Sequence, residues 1–264
     1  MNKYSIGYRL RFDDIISKDI GDFIKNYLEL FDRFEIKLTE DLVSFGKLEY
    51  ILKISEKLAR EKYSMHIYKD VFYNNEAYGK MLKLIEVLTR YKPSEKVYLI
   101  THIPFQTGLE YLSKVFEIVN VLPDKYVLLL ENVELESNNL DYLKQIYNMC
   151  KVLEENNIQN VGLCLDIGHS LYGCSKENIS ESEVLNMLQE YKILLSKVMQ
   201  IHIHDYLDTD HLQLNTGIMN LKIVSEFIIK NKLNVPIIIE STVKLPEDDG
   251  IRQVRIMEEL LSES

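Results

Sequence analysis

The chain has 264 residues, of which 46% are hydrophobic, and it carries a formal net charge of −10. This length suits one α/β barrel of about 250 residues, and the hydrophobic share is that of an ordinary globular core. The negative charge argues against broad, nonspecific binding of nucleic acid, which depends on a basic surface.

Cysteine usage and the first residues indicate the compartment. The three cysteines, Cys150, Cys164 and Cys174, form no CxxC pair, and an odd count favours a reducing environment. The opening segment MNKYSIGYRLRFDD lacks the apolar stretch of a secretion signal. No run approaches the roughly 18 apolar residues of a membrane helix. We therefore expect a soluble, cytoplasmic protein without a membrane partner.

Short runs of β-branched and aromatic residues alternate with longer segments of helical periodicity. The runs predict eight strands at about residues 4–10, 34–38, 63–68, 97–103, 126–131, 161–166, 198–204 and 235–240. Apolar residues at three- and four-residue steps predict helices over about residues 46–60, 76–91, 107–119, 140–153, 181–195, 217–230 and 251–262. No linker segment interrupts this alternation.

The alternation of strands and helices is that of a single (β/α)8 TIM barrel, with residues 1–264 as one domain. The alternative fold is a doubly wound parallel sheet, but no glycine-rich phosphate loop follows the first strand to favour it. In a barrel, catalytic groups lie at the carboxyl ends of the strands, because the loops there form the open mouth of a packed core.

Metal-ligand residues occur where the predicted strands end. The residues expected at the ends of strands three to eight are His66, His102, Glu131, Asp166, His202 and Glu240. Charged groups are almost never buried in a barrel unless they are paired or bound to metal. A set of imidazoles and carboxylates without a thiolate suits Zn²⁺, Mn²⁺ or another first-row divalent ion.

Three further histidines follow these strand ends. His169 lies three residues after Asp166 across the turn LDIGHS, a spacing that lets both side chains face the mouth. His204 follows His202 by two residues, so both point to the same side of a strand. We interpret His204 as a residue that contacts substrate or supports the ligands. His211 lies in the loop LDTDHLQLNTG after strand seven.

Basic residues also lie near the predicted mouth. Arg9 and Arg11 end the first strand, and Lys69 follows the third. Arginine can clamp a phosphate through two hydrogen bonds, and lysine adds a point charge. We predict that Arg9, Arg11 and Lys69 bind substrate; the alternative is that they are ordinary surface charges.

The order of these residues and their positions at the strand ends resemble the ligand pattern of the xylose isomerase-like TIM barrels. This superfamily joins endonuclease IV with sugar isomerases and epimerases. The resemblance covers nearly the whole chain. The endonuclease IV branch implies a trinuclear zinc site with ligands at His66, His102, Glu131, Asp166, His169, His202, His211 and Glu240. The family's remaining ligand is an Asp two residues before His211. That position is Thr209 here, so Asp208 or Asp210 would have to replace it.

Other departures concern the substrate. His66 is followed by Ile67, Tyr68 and Lys69 rather than by the family's His-x-Pro-aromatic shape. The segment FEIKLTEDL shows no loop that would penetrate DNA. The sequence therefore favours a small phosphorylated or sugar substrate over duplex DNA.

The sequence leaves three functions open. The first is phosphoester hydrolysis at two or three metals, in which Glu131 bridges ions and Glu240 or Asp166 positions the attacking hydroxide. The second is sugar or sugar-phosphate isomerisation or epimerisation. It resembles the branch with one metal held by Glu131, Asp166, His202 and Glu240, in which the two glutamates move protons and His169 touches substrate. The third is an inactive binding barrel. Between one and three ions per chain are expected, and the oligomeric state is not predicted.

Overall fold

The computed structural model describes residues 4–11, 31–38, 62–67, 71–72, 74–90, 92–103, 109–241 and 249–262. Eight parallel strands close into a barrel in chain order, since β1 pairs with both β2 and β8. The strands are β1 (Ile6–Arg11), β2 (Arg33–Lys37), β3 (Tyr63–His66), β4 (Val97–His102), β5 (Tyr126–Glu131), β6 (Val161–Asp166), β7 (Val198–Ile203) and β8 (Ile237–Ile239). The closed barrel confirms the predicted fold and excludes the doubly wound sheet, which has two open edges.

The described part of the chain contains eight helices. They are α1 (Asn75–Leu88), α2 (Leu109–Val121), α3 (Asn139–Glu155), α4 (Ile167–Ser175), α5 (Glu181–Glu190), α6 (Lys192–Lys197), α7 (Leu221–Lys230) and α8 (Ile251–Ser262). The helix predicted over 46–60 lies outside the described residues. Among the described helices, none combines the length and the apolar composition that a membrane crossing requires.

Two helical features differ from the sequence prediction. The single helix predicted over 181–195 is wrong, because α5 ends at Glu190 and α6 begins at Lys192. Tyr191 between them has ψ 63°, and its ring stacks on Tyr147 with 4.4 Å between centroids. The sequence analysis also missed α4, which follows β6 without a loop because Asp166 both ends the strand and caps the helix.

The barrel interior has an apolar side and a polar side. Ile100, Val127, Leu129 and Cys164 form an apolar cluster inside it, separate from the larger core between strands and helices. On the side of β2, β3 and β7, the buried polar residues are Glu35, Ser64 and Gln200. Barrel interiors are ordinarily filled by branched apolar side chains. The polar side chains here lie beneath the residues at the carboxyl ends of the strands and form hydrogen bonds with one another and with His202.

Candidate metal centre

Six ligand-type residues lie at the carboxyl ends of six consecutive strands: His66, His102, Glu131, Asp166, His202 and Glu240. Four of them are the last residues of β3 to β6. His202 is the last but one residue of β7, and Glu240 directly follows β8. Their side chains converge at one end of the barrel.

Glu131 lies at the centre of this arrangement and is fully buried. Its Oε2 lies 2.7 Å from His66 Nε2 and 3.2 Å from His102 Nε2, while its Oε1 lies 2.5 Å from His202 Nδ1. Burial alone would raise the pKa of the Glu131 carboxyl, but the imidazoles of His66 and His202 lower it well below its usual range. The carboxylate is therefore ionised and directs its two oxygens at different imidazoles.

Glu240 is held by an ion pair between its Oε2 and the Arg9 guanidinium. Its Oε1 lies 3.1 Å from His202 Nδ1, and its Oε2 lies 3.3 Å from His211 Nε2. Burial would raise the pKa of Glu240, but Arg9 and His202 lower it well below its usual range. The Arg9 side chain is only 10% exposed and contacts a candidate ligand directly. Its contact with substrate stays a prediction.

The other two basic residues are less fully described. Arg11 ends β1, but its side chain lies outside the described part of the structure. Lys69 lies outside the described residues altogether. Their predicted binding to substrate stays a prediction.

Asp166 is fixed by the backbone around it. Its Oδ1 accepts the His169 N–H at 2.6 Å, which caps α4. The Asn132 side chain accepts the Asp166 N–H at 2.9 Å and donates to the Asp166 carbonyl at 2.8 Å. Its Oδ2 is buried without a hydrogen-bond partner. One carboxylate oxygen is thus used for structure, and the other is left for a cation.

A second group of side chains surrounds the first turn of α4 and the loop after β7. The ring centroids of His204 and His211 lie 4.4 Å apart, and those of His169 and His204 lie 4.7 Å apart. Asp210 Oδ2 lies 3.0 Å from His211 Nδ1 and 3.7 Å from His169 Nδ1. Asp208 is exposed. Asp210, rather than Asp208, is therefore the carboxylate of this loop that lies beside His169 and His211.

His169 is held at both ring nitrogens. Its Nδ1 lies 2.6 Å from Glu134 Oε2, and its Nε2 lies 3.7 Å from Asp166 Oδ2. Burial lowers the pKa of His169, but Asp166 and Glu134 outweigh this effect and raise it to about 9. Glu134 was not identified from the sequence, where it is one of several acidic residues in a polar loop.

His204 is completely buried and lies behind Asp166. By distance alone, the imidazoles of His169, His204 and His211 could hold one ion. However, His204 Nδ1 is already engaged, because it accepts the backbone N–H of His211 at 3.0 Å and lies 3.2 Å from the Asp205 carbonyl oxygen. Its Nε2 lies 3.4 Å from Asp166 Oδ1, so we interpret His204 as a support for Asp166. A direct contact with substrate stays a prediction.

The packing of His204 leads to a first test. A Cβ added at Gly168 would lie 2.6 Å from His204 Nε2, whereas a Cβ at Gly79 in α1 meets nothing within 4 Å. We expect Gly168→Ala to destabilise the protein by about 1–3 kcal/mol through overpacking. The matched variant Gly79→Ala should stabilise it by about 0.5–1 kcal/mol, because alanine is the better helix former. Urea unfolding of both variants measures the difference, and equal stabilities would show that His204 does not pack against α4.

The sequence analysis missed one central residue, Glu35 in the middle of β2. It is completely buried, and its Oε2 lies 2.9 Å from His202 Nε2. Because Phe34 and Ile36 on either side are buried too, the strand has no exposed face. A charged residue inside an otherwise buried run was the signal that could have identified it.

The donor atoms fit divalent cations. Several overlapping groups of donor atoms lie close enough to hold an ion. One brings together His66, His102 and Glu131, and another, called here the four-residue set, consists of Glu131, Asp166, His202 and Glu240. Within each group one ligand atom per residue lies within 4.8 Å of the others. Asp166 Oδ2 is buried without a hydrogen-bond partner, which is costly unless a cation compensates it.

Comparison with known proteins gives relatives by fold alone. The sequence matches no protein-family model and no curated protein. Endonuclease IV from Thermus thermophilus is similar in structure, with 14% identity, a TM-score of 0.67, and coverage of 98% of this chain and 100% of that one. A D-tagatose 3-epimerase-like protein has 16% identity and a TM-score of 0.62 over 98% and 97% of the two chains.

A sugar phosphate isomerase/epimerase from Parabacteroides distasonis extends the comparison. It has 13% identity and a TM-score of 0.58, with coverage of 99% of this chain and 96% of that one. At such low identity the likeness establishes the fold and leaves the chemistry to the site itself. The chain therefore shares the barrel fold of these three proteins.

Proposed function

We propose that this protein is a metal-dependent enzyme that hydrolyses phosphoesters at a centre of two or three ions. The observation that carries this proposal is the position of His66 and His102, which both approach Glu131 Oε2 while Oε1 faces His202. One ion in the four-residue set would leave these two imidazoles without a role. A second ion held by His66 and His102 would give both oxygens of Glu131 a role.

The candidate ligands divide into three groups. The first is His66, His102 and Glu131, and the second is the four-residue set. The third would be His169 and His211 with Asp210, whose Oδ2 lies near both imidazoles. When bound, Zn²⁺ or Mn²⁺ would polarise a phosphoryl oxygen and lower the pKa of water at the site. The third group follows the endonuclease IV pattern with its Asp moved by one residue.

The protein's own residues would position the reactants and move the proton. Asp166 and Glu240 are buried carboxylates beside the candidate metal position, so each would be placed to orient a water molecule and accept its proton. Arg9 holds Glu240 in place, and its guanidinium brings positive charge to the mouth, where it favours a phosphate. Burial of these groups strengthens each electrostatic contact with the substrate.

We propose a small phosphorylated substrate ahead of duplex DNA. The net charge of −10 and the sequence departures after His66 support this choice. The direct test incubates the Zn²⁺- or Mn²⁺-loaded protein with bis-p-nitrophenyl phosphate, a set of sugar phosphates and an oligonucleotide duplex that contains one abasic site. Release of p-nitrophenol or phosphate supports the proposal. Cleavage of the duplex alone would retain the chemistry and overturn the substrate class.

Sugar isomerisation or epimerisation is the second candidate. The observation that favours it is the complete four-residue set, in which Glu131 Oε1 and Glu240 Oε1 lie 2.5 Å and 3.1 Å from His202 Nδ1. Two carboxylates beside one metal position can remove and return a proton. Epimerisation of free or phosphorylated ketoses, with no hydrolysis of any phosphoester, would replace the first proposal by this one.

The third group of ligands has a matched test in the same loop. We expect Asp210→Asn to weaken binding of one ion by at least about tenfold, since outer partners of metal ligands already contribute 10–100-fold. Asp208→Asn, two residues away and exposed, should leave metal content unchanged. Elemental analysis and competition with a chromophoric chelator measure both. Equal metal binding by the two variants would remove Asp210 from the ligands.

A further inference from the structure

We propose that Glu35 is a positioning residue, which holds the His202 imidazole in the tautomer that presents its Nδ1 lone pair to the metal. This inference rests on the proposed metal centre. Glu35 lies in the barrel interior, paired in register with Ser64, whereas Lys37 two residues later pairs with His66 at the mouth. The Glu35 backbone is therefore one layer below the ligands, and its carboxylate reaches up to within 4.8 Å of donor atoms of His66, His202 and Glu240.

The His202 ring connects these two layers. Its Nδ1 lies 2.5 Å from Glu131 Oε1 and 3.1 Å from Glu240 Oε1, so this nitrogen faces the candidate metal position. Its Nε2 faces the opposite way, 2.9 Å from Glu35 Oε2. An imidazole that binds a metal through one nitrogen keeps its proton on the other, and the hydrogen bond at that other nitrogen decides which nitrogen is free for the metal.

The Gln200 amide could in principle enforce the opposite tautomer. Its Nε2 lies 2.8 Å from His202 Nε2 and 2.8 Å from Glu35 Oε2. If Gln200 donated to an unprotonated His202 Nε2, the lone pair of that nitrogen would face a carboxylate oxygen at 2.9 Å, and the two acceptors would repel each other. A proton on Nε2 removes this repulsion, and both side chains then donate to the same Glu35 oxygen.

Glu35 is itself held in one orientation. Its Oε2 accepts the Ser64 hydroxyl at 3.1 Å and the Gln200 amide at 2.8 Å, in addition to facing His202. A carboxylate that accepts several hydrogen bonds in a buried place has a fixed position. Carboxylate partners of this kind orient a ligating histidine and make it a better ligand.

Three variants test the role of Glu35. Glu35→Met keeps the size of the side chain and removes the acceptor, while Glu35→Gln keeps a carbonyl oxygen that can accept the His202 Nε2–H. Ser64→Ala serves as a control, because it removes another hydrogen bond to the same oxygen without touching His202. Zn²⁺ affinity is measured by chelator competition, and the imidazole protons are observed by NMR of ¹⁵N-histidine-labelled protein.

We expect Glu35→Met to weaken binding at the four-residue set by about 10–100-fold. Glu35→Gln should recover most of this loss, and Ser64→Ala should show a much smaller loss than Glu35→Met, because it leaves the acceptor of His202 in place. The NMR spectrum of the wild type should contain a slowly exchanging His202 Nε2–H, both with and without Zn²⁺. That resonance should disappear in Glu35→Met and persist in Ser64→Ala.

The outcomes separate the two proposals. A wild type that lacks the protected His202 Nε2–H, or a Glu35→Met protein that binds Zn²⁺ as the wild type does, overturns the role of Glu35. If neither the wild type nor any of the variants binds Zn²⁺ or Mn²⁺, the proposed function is wrong, and so is the proposed role of Glu35 in metal binding. In that case the resonance still reports whether Glu35 fixes the ring.

Discussion

Glu131→Gln is expected to abolish activity and to reduce metal content by more than one ion per chain. Glu131 is the residue shared by the two ligand groups of the mouth, and its oxygens lie 2.7 Å and 2.5 Å from His66 and His202. An amide has one oxygen and no negative charge, so it cannot bridge two cations. Bound metal ions stabilise the transition state by several kcal/mol, and loss of this stabilisation corresponds to a fall in kcat/KM on the order of a thousandfold.

Elemental analysis and phosphoesterase kinetics on the same preparation check this result. Glu136→Gln is the matched control, because Glu136 lies in the loop that follows Glu131, away from the ligand groups, and it should behave as the wild type. Since epimerase chemistry would also need Glu131, the variant tests the site under both candidate functions. Activity retained in Glu131→Gln would remove Glu131 from the site and both ligand groups with it.

The second large effect separates hydrolysis from epimerisation. The double variant His66→Ala, His102→Ala removes the two imidazoles that approach Glu131 Oε2 and leaves the four-residue set intact. We expect it to retain one ion fewer than the wild type and to lose on the order of a thousandfold in phosphoester hydrolysis. An enzyme that uses one ion in the four-residue set would keep its metal and much of its turnover.

Folding of the double variant has to be compared with that of the wild type, since His66 is buried and its removal leaves a cavity. Circular dichroism and urea unfolding show whether the barrel persists. A folded double variant with unchanged metal content and unchanged hydrolysis would contradict the multinuclear centre. Unchanged epimerisation would instead establish the second candidate function.

The fold was predictable because the third to eighth strands each end where an apolar run meets a polar ligand residue. The runs YVLLLE and VGLCLD end at Glu131 and Asp166, and β5 and β6 end at these same residues. The sequence did not reveal α4, since Asp166 belongs to both the strand and the helix cap. Local periodicity cannot separate two elements that share one residue.

The support around the ligands could not be predicted, because it depends on contacts between distant strands. Glu35 meets Gln200 and His202 across the barrel, and no local pattern relates these positions. The choice of Asp210 over Asp208 depends on the path of the loop after β7. That path is set by the Asp205 carboxylate, which accepts the backbone N–H groups of Gly217 at 2.8 Å and Met219 at 3.0 Å.

Metal content per chain is the most direct test of the central claim that this mouth holds a multinuclear centre. The protein should be purified without a chelator and without an affinity tag that contains histidine, then analysed for zinc and manganese before and after reconstitution. We expect two or three ions per chain. A single ion, or no ion even after reconstitution with Zn²⁺ or Mn²⁺, would contradict the multinuclear centre.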